Sequence, residues 1–127
     1  MSTPLRIVQA TVRQILDDHP DLCANGWRYK GSRHDPEMPE ERFQQHRAAL
    51  TTPDGIAQIE IACRYLRQFG PSPRSGSYGL KHDAEHWGRE VGLAGYVSNG
   101  AAIVAAILCG YRIKRERNSP NCVIVRA

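Results

Sequence analysis

The sequence predicts an α+β protein with antiparallel β-structure, and two observations lead to this prediction. The chain has 127 residues, 41% of them apolar and 24% charged, which suits one soluble globular domain and leaves no room for two. Helical and strand-like periods follow one another as helix, hairpin, helix, helix, hairpin, without the crossover pattern of a parallel sheet. We therefore expect residues 1–127 to form a single domain, with 70–77 as a flexible loop.

An amphipathic helix is predicted over residues 4–17. Thr3 supplies a capping hydroxyl and Pro4 suits the first helical position. Apolar residues then recur at spacings of three and four: Leu5, Val8, Val12, Ile15 and Leu16. The helix should end before Pro20, and the glycines and prolines of 18–40 predict a loop with one short extended piece at 26–30.

The next predicted element is an antiparallel hairpin of residues 42–51 and 57–67. Residues 52–55, Thr-Pro-Asp-Gly, are typical of a type I turn followed by a left-handed glycine. Downstream, apolar and polar residues alternate with the period of a half-buried strand: Ile59, Ile61, Cys63 and Tyr65 are the apolar ones. For the first strand an alternative stays open, because 40–50 also fits a helix.

Two helices and a basic hairpin are predicted for the rest of the chain. Ser77 should cap a helix that runs to residue 89 or 90, and Ser98 or Asn99 should cap a helix over 100–109 that Gly110 closes. Residues 111–115 and 122–126 should then pair around a turn at 118–121. The same order occurs in a winged helix, which is an alternative for this fold.

The helix at 100–109 is apolar all round, with the sequence GAAIVAAILC, and carries none of the side chains that read base edges. We expect it to be buried in the core. Its small residues make pairing with a second chain, and hence a homodimer, the alternative.

The sequence argues against an integral membrane protein and against a secreted precursor. The longest apolar run, 101–109, is about half of the ~18–20 residues of a membrane span, and the first residues do not resemble a signal peptide. The four cysteines have no C-x-x-C spacing, so we expect them to be reduced in a cytoplasmic protein.

The positive charge is concentrated in the second half of the chain. Residues 1–63 carry seven Lys and Arg against nine Asp and Glu, whereas residues 64–127 carry ten against four. A basic surface of this kind attracts phosphate backbones or an acidic protein face. It also serves as ordinary solvated surface.

The one catalytic-looking string is H-D-A-E-H at 82–86, which matches the H-x-x-E-H pattern of zinc hydrolases. That pattern needs a further remote carboxylate, and Glu90 and Glu116 are the only acids after His86. The chain also has no nucleophile elbow, P-loop or dinucleotide fingerprint. We therefore expect no enzyme, no bound metal and no cofactor.

Two groups of residues are candidates for contact with an anionic partner. The first lies where flexible glycines lead into a helix N-terminus, whose free N–H groups favour an anion; its members are Arg74, Ser77, Tyr78 and Lys81. The second is the charged hairpin, with Arg112, Lys114, Arg115 and Arg117. Alternation along a strand places Arg112 and Lys114 on one face and Arg115 on the other.

Residues 77–82 (SYGLKH) with Glu85 and Trp87, then 96–101 (YVSNGA) and Gly110-Tyr111, resemble small proteins carried by bacterial plasmids and prophages. The resemblance covers roughly residues 56–111 and does not include His86. It implies an accessory protein of a mobile genetic element and supplies no catalytic residues.

Two functions follow as hypotheses. The first is a non-enzymatic protein that binds nucleic acid through its basic C-terminal half. The alternative is a protein-binding inhibitor of a host defence complex, similar in role to anti-CRISPR proteins, which would occupy an acidic protein face or a host ribonucleoprotein. In either case we expect a cytoplasmic location in a bacterial host and no membrane contact.

Overall fold

The computed structural model describes residues 4–72, 76–93 and 95–125. Its five helices and two small antiparallel sheets confirm the α+β class, the N-terminal helix and the C-terminal hairpin. In chain order the elements are α1 Leu5–Asp18, β1 Leu22–Cys23, β2 Gly26–Trp27, α2 Glu40–Ala49, α3 Pro53–Phe69, α4 Ser77–Glu90, α5 Asn99–Leu108, β3 Arg112–Arg115 and β4 Cys122–Val125. Within the described ranges no helix is both long and apolar enough to cross a membrane.

Helix α5 occupies the centre of the protein, as its apolar sequence predicts. Residues 99–106 are all buried, and the helix packs against α1, α3, α4 and strands β2 and β3. Burying Ile103 and Val104 contributes roughly 1.5–3 kcal/mol each. The C-terminal end is less enclosed than expected, because Ile107 is half-buried and Leu108 is 36% exposed.

The predicted hairpin of 42–51 and 57–67 is wrong, since these residues form α2 and α3. The helix that was the alternative for 40–50 is the one observed, as α2. Thr52 is the N-cap of α3 and accepts a hydrogen bond from Gly55 N at 3.1 Å, with Pro53 at the first helical position. The apparent period of two arises because α3 packs against α1, α4 and α5, so its apolar face is wide. Ile61 is therefore buried beside the helical stripe of residues 56, 59, 63 and 66.

The first hairpin lies instead within residues 18–40, where a loop with one short extended piece at 26–30 is expected. Strands β1 and β2 pair in the register Leu22 with Trp27 and Cys23 with Gly26. Gly26 has a φ of +113° and sits against Pro120 O, where a side chain would collide. This small hairpin packs against α2 and α5 and reaches the turn of the C-terminal hairpin.

The cap residues are partly as expected. Ser98 caps α5 by accepting a hydrogen bond from Ala101 N at 3.0 Å, and Gly110 follows the helix with a φ of +87°. Ser77, by contrast, is the first residue of α4, and Gly76 is its N-cap. Gly76 also forms an isolated antiparallel bridge with Val123, which joins the start of α4 to β4.

The C-terminal hairpin pairs Arg112 with Val125, Ile113 with Ile124, Lys114 with Val123 and Arg115 with Cys122. Its core-facing side carries Ile113, Cys122 and Ile124. Arg112 and Lys114 are exposed on the opposite face, as strand alternation predicts. Of the loop expected at 70–77, residues 73–75 lie outside the described ranges.

Candidate nucleic-acid interface

The C-terminal hairpin carries exposed cations that have no ion pair among the described residues. Arg112 and Lys114 project from the outer face of β3, and Arg117 lies in the turn that follows. All three are exposed, and no ion pair involves them within the part of the chain that the structure describes. We call residues 112–121 the basic hairpin. Its three exposed cations, Arg112, Lys114 and Arg117, are available to an anionic partner.

Arg115 plays a different part, because its guanidinium is already engaged. Its Nη1 lies 3.0 Å from Asp21 Oδ2, its Nη2 donates to Arg28 O at 2.9 Å, and its Cζ lies 4.7 Å from the centre of the Trp27 ring. These contacts fasten the C-terminal hairpin to strand β2 and to the residues on either side of the β1–β2 hairpin. Arg115 therefore stabilises the surface and has less charge to offer a partner.

A groove of about 660 Å³ runs between the basic hairpin and the segment after β2. We call it the basic groove. Its lining residues are Asp21, Arg28, Tyr29, Lys30, Gly31, Glu37, Arg115, Arg117 and Asn118. Arg28 is paired with Glu40 and donates to Met38 O at 2.8 Å, whereas Lys30 is exposed and has no ion pair among the described residues. Lys30 thus adds a cation from the acidic half of the chain.

The residues predicted to contact an anion at the start of α4 differ in how far they are exposed. Ser77 is completely buried, and its hydroxyl accepts a hydrogen bond from Cys122 N at 3.1 Å, so it has no surface for a partner. Tyr78 is 55% exposed, and Lys81 lies one turn further along the helix. Arg74 lies outside the described residues.

Tyr78 and Lys81 line a second cavity, of about 270 Å³, together with Tyr96 from the loop before α5. We call it the tyrosine cavity. Lys81 Nζ lies 5.6 Å from the centre of the Tyr78 ring and 5.2 Å from that of Tyr96. The remaining lining residues are Ala24, Asn25, His46, Asn99, Pro120 and Asn121. Two exposed aromatic rings and three side-chain amides therefore surround one small opening.

A buried carboxylate holds this arrangement in place. Glu85 Oε1 lies 3.3 Å from both Lys81 Nζ and His82 Nδ1, and Oε2 accepts a hydrogen bond from Val97 N at 3.2 Å. The first contact balances the charge of Lys81. The last one ties α4 to the residue next to Tyr96, so Glu85 sets the relative positions of the two tyrosines.

Asn99 lines the tyrosine cavity and contacts the turns of both hairpins. Its Nδ2 lies 3.1 Å from Asn25 O, 3.3 Å from Pro120 O and 3.0 Å from Asn121 Oδ1. The side chain is only 8% exposed, and its Oδ1 has no hydrogen-bond donor among the described residues. A buried amide oxygen without a donor is uncommon in folded proteins.

The histidines of the H-x-x-E-H string do not converge. His82 contacts Glu85, whereas His86 Nε2 lies 3.0 Å from Glu90 Oε1 on the exposed side of α4. Across residues 4–72, 76–93 and 95–125, no three His, Cys, Asp or Glu side chains are grouped so that they could hold a metal ion.

The basic groove and the tyrosine cavity belong to one continuous surface. A third cavity lies between them and shares Asn25 and His46 with the tyrosine cavity. It shares Arg28 and Tyr29 with the basic groove. Aromatic, amide and basic groups therefore follow one another along a single side of the protein.

Sequence reasoning missed several residues of this surface. A charge count by halves of the chain does not single out Lys30, because it lies in the acidic half. The cavity lining from 24–25, 46 and 120–121 is assembled from segments that are distant in sequence. Tyr96 and Asn99 belong to the YVSNGA segment, but spacing alone does not bring that segment next to Tyr78.

Comparisons of the chain with protein-family models, with curated proteins and with solved structures found no match.

Proposed function

We propose that this protein is a non-enzymatic nucleic-acid-binding protein, in keeping with the accessory role that its resemblance to plasmid and prophage proteins implies. The observation that carries the proposal is the set of exposed cations on the basic hairpin and the adjoining groove, none of which has an ion pair among the described residues. Its members are Lys30, Arg112, Lys114 and Arg117. Exposed Lys and Arg side chains without ion pairs are what a phosphate backbone requires.

Salt dependence provides the first test. Each phosphate contact releases condensed counterions, so the slope of log K against log salt is about −0.9 per contact for duplex DNA and −0.7 for single strands. With all four cations engaged, we expect a slope of roughly −3 to −4 for duplex and roughly −3 for single strands. Fluorescence anisotropy with random-sequence duplex and single-stranded oligonucleotides measures this slope.

Charge reversal provides the second test, and the structure decides which residues to change. The Lys114→Glu, Arg117→Glu double variant removes two unpaired cations without breaking an ion pair among the described residues. We expect an affinity loss of about tenfold or more for all sequences alike, with a shallower salt slope, because these contacts position the nucleic acid without reading bases. Arg115 is unsuitable, because a glutamate there would face Asp21.

The Arg6→Glu, Arg13→Glu double variant is the matched control, because it also reverses two charges. Both arginines are exposed on α1 and line neither the basic groove nor the tyrosine cavity. This control variant should bind like the wild type at each salt concentration. If no oligonucleotide binds at low salt, or if the control loses as much affinity as the Lys114→Glu, Arg117→Glu variant, the proposal is wrong.

A protein-binding inhibitor of a host defence complex is the second candidate, and an aromatic ridge on the α3–α4 side favours it. Phe69 is 52% exposed, and its ring centre lies 5.1 Å from that of Tyr65 and 6.4 Å from that of Trp87. Exposed aromatic clusters are common at protein interfaces. A pull-down from bacterial lysate separates the two candidates, because a protein partner stays bound after nuclease treatment and a nucleic-acid partner does not.

A further inference from the structure

We propose that the tyrosine cavity accepts one unpaired nucleobase, and that the nucleic acid bound by this protein is therefore single-stranded. This inference rests on the proposed function and names its ligand class. Its starting point is that Tyr78 and Tyr96 come from different elements, are both more than half exposed and face the same opening. Proteins that bind single strands commonly stack bases on exposed aromatic rings of this kind.

The charge balance of the cavity favours a neutral ligand. Lys81 is the only Lys or Arg in the described lining, and its Nζ is paired with Glu85 at 3.3 Å. A phosphate would have to compete with that carboxylate for the ammonium group. A flat, uncharged, polar ring system does not meet this obstacle.

The amides of the lining match the edge of a base. Asn25, Asn99 and Asn121 each carry amide groups with both donors and acceptors, which pair with the exposed edges of unstacked bases. Asn99 Oδ1 is buried and has no donor among the described residues, so the cavity lining includes an acceptor whose hydrogen-bonding capacity is unused. The volume of about 270 Å³ lies near the lower limit, ~300 Å³, of small-molecule pockets and suits a single ring system.

The position of the cavity also suits a strand held on the basic hairpin. Pro120 and Asn121 line the tyrosine cavity, and Arg117 and Asn118, a few residues earlier in the same turn, line the basic groove. A strand whose phosphates follow the groove can therefore turn one base into the cavity. A base paired within a duplex cannot enter it without unstacking.

The experiment measures the affinities of single-stranded DNA, single-stranded RNA and duplex of the same length. Each is measured for the full wild-type chain and for four tyrosine variants. Tyr78→Ala and Tyr96→Ala remove the rings, whereas Tyr78→Phe and Tyr96→Phe keep them. We expect single strands to bind at least tenfold more tightly than duplex and each alanine variant to lose about tenfold in single-strand affinity. The phenylalanine variants should keep most of the affinity, and the salt slope should not change.

Two controls make the result specific. Phe69→Ala removes an equally exposed ring from outside the cavity lining and should leave binding unaltered. A single strand that carries 2-aminopurine reports the base directly, because stacking on a tyrosine changes its fluorescence. The change should be smaller in each alanine variant, which keeps only one of the two rings. A free nucleoside that competes as well as the strand would assign the cavity to a small molecule and overturn the single-strand assignment.

The outcomes separate this inference from the proposed function. If duplex and single strands bind equally and the alanine variants bind like the wild type, the cavity does not hold a base, although the basic surface still binds nucleic acid. If no nucleic acid binds, both proposals are wrong. If the alanine variants alone lose single-strand affinity while their thermal unfolding matches the wild type, the inference holds.

Discussion

Replacing Gly100 with alanine tests how closely α5 approaches the first hairpin. Gly100 is the second residue of α5, and its N–H donates to Ala24 O at 2.9 Å. A Cβ at this position would lie 1.9 Å from Cys23 O and 2.8 Å from Ala24 Cα. Both are backbone atoms, so the clash can be relieved only if the β1–β2 turn moves away from α5.

Two effects of opposite sign decide the change in stability. Alanine is a better helix former than glycine by at most about 1 kcal/mol, and this effect alone would stabilise the variant. Overpacking against backbone costs about 3 kcal/mol at the upper end of the usual range, and weakening the Gly100 to Ala24 hydrogen bond costs about 0.5–1.5 kcal/mol. The net expectation is a loss of about 2.5–3.5 kcal/mol in the free energy of unfolding.

Urea denaturation measures this free energy, and thermal unfolding should show a fall in Tm of about 9–13 °C for a chain of this length. Gly95→Ala is the matched control, because its Cβ would meet only the flexible Arg89 side chain, at 3.0 Å or more, and its cost should be small. A Gly100→Ala variant as stable as the wild type, or more stable, would refute the close approach of α5 to the hairpin.

Two further predictions concern the core. Ile103→Ala should reduce the free energy of unfolding by about 2–5 kcal/mol, because Ile103 is completely buried; Leu108→Ala should cost far less, and equal losses in urea denaturation would contradict the assigned burial. Burial, together with the neighbouring Cys109, raises the pKa of the Cys63 thiol from 9.0 to about 12. The unfolded chain therefore loses this proton first as pH rises, so stability should fall above about pH 9, by up to about 1.4 kcal/mol per pH unit from this thiol. Cys63→Ala should make that decline shallower between pH 9 and 11, and an unchanged slope would contradict the raised pKa.

Local chemistry explains which elements were predictable. α1, α4, α5 and the C-terminal hairpin follow from helical spacing, from Ser98 and Gly110 at the ends of α5, and from strand alternation after Tyr111. These signals act within a few residues of one another, so they survive without knowledge of the fold. The apolar run at 100–109 likewise predicts a core helix, because no other environment shields so many apolar groups from water.

The helices α2 and α3 show where local reasoning fails. Thr52-Pro53-Asp54-Gly55 suits both a turn and a helix N-terminus, and Ile59, Ile61 and Cys63 suit both a strand and a broad helical face. Only packing distinguishes the two. Because α3 contacts three other helices, its buried face widens until the helical period is hidden.

The candidate site divides in the same way. Two features follow from the residues alone, namely the excess of positive charge in the second half of the chain and the shared face of Arg112 and Lys114, since charge count and strand alternation need no partner. Tertiary packing, by contrast, brings Asp21 to Arg115 and places Lys81 close to both Tyr78 and Tyr96. These groups lie many residues apart, and their distances depend on how the helices and hairpins pack, which no local pattern encodes.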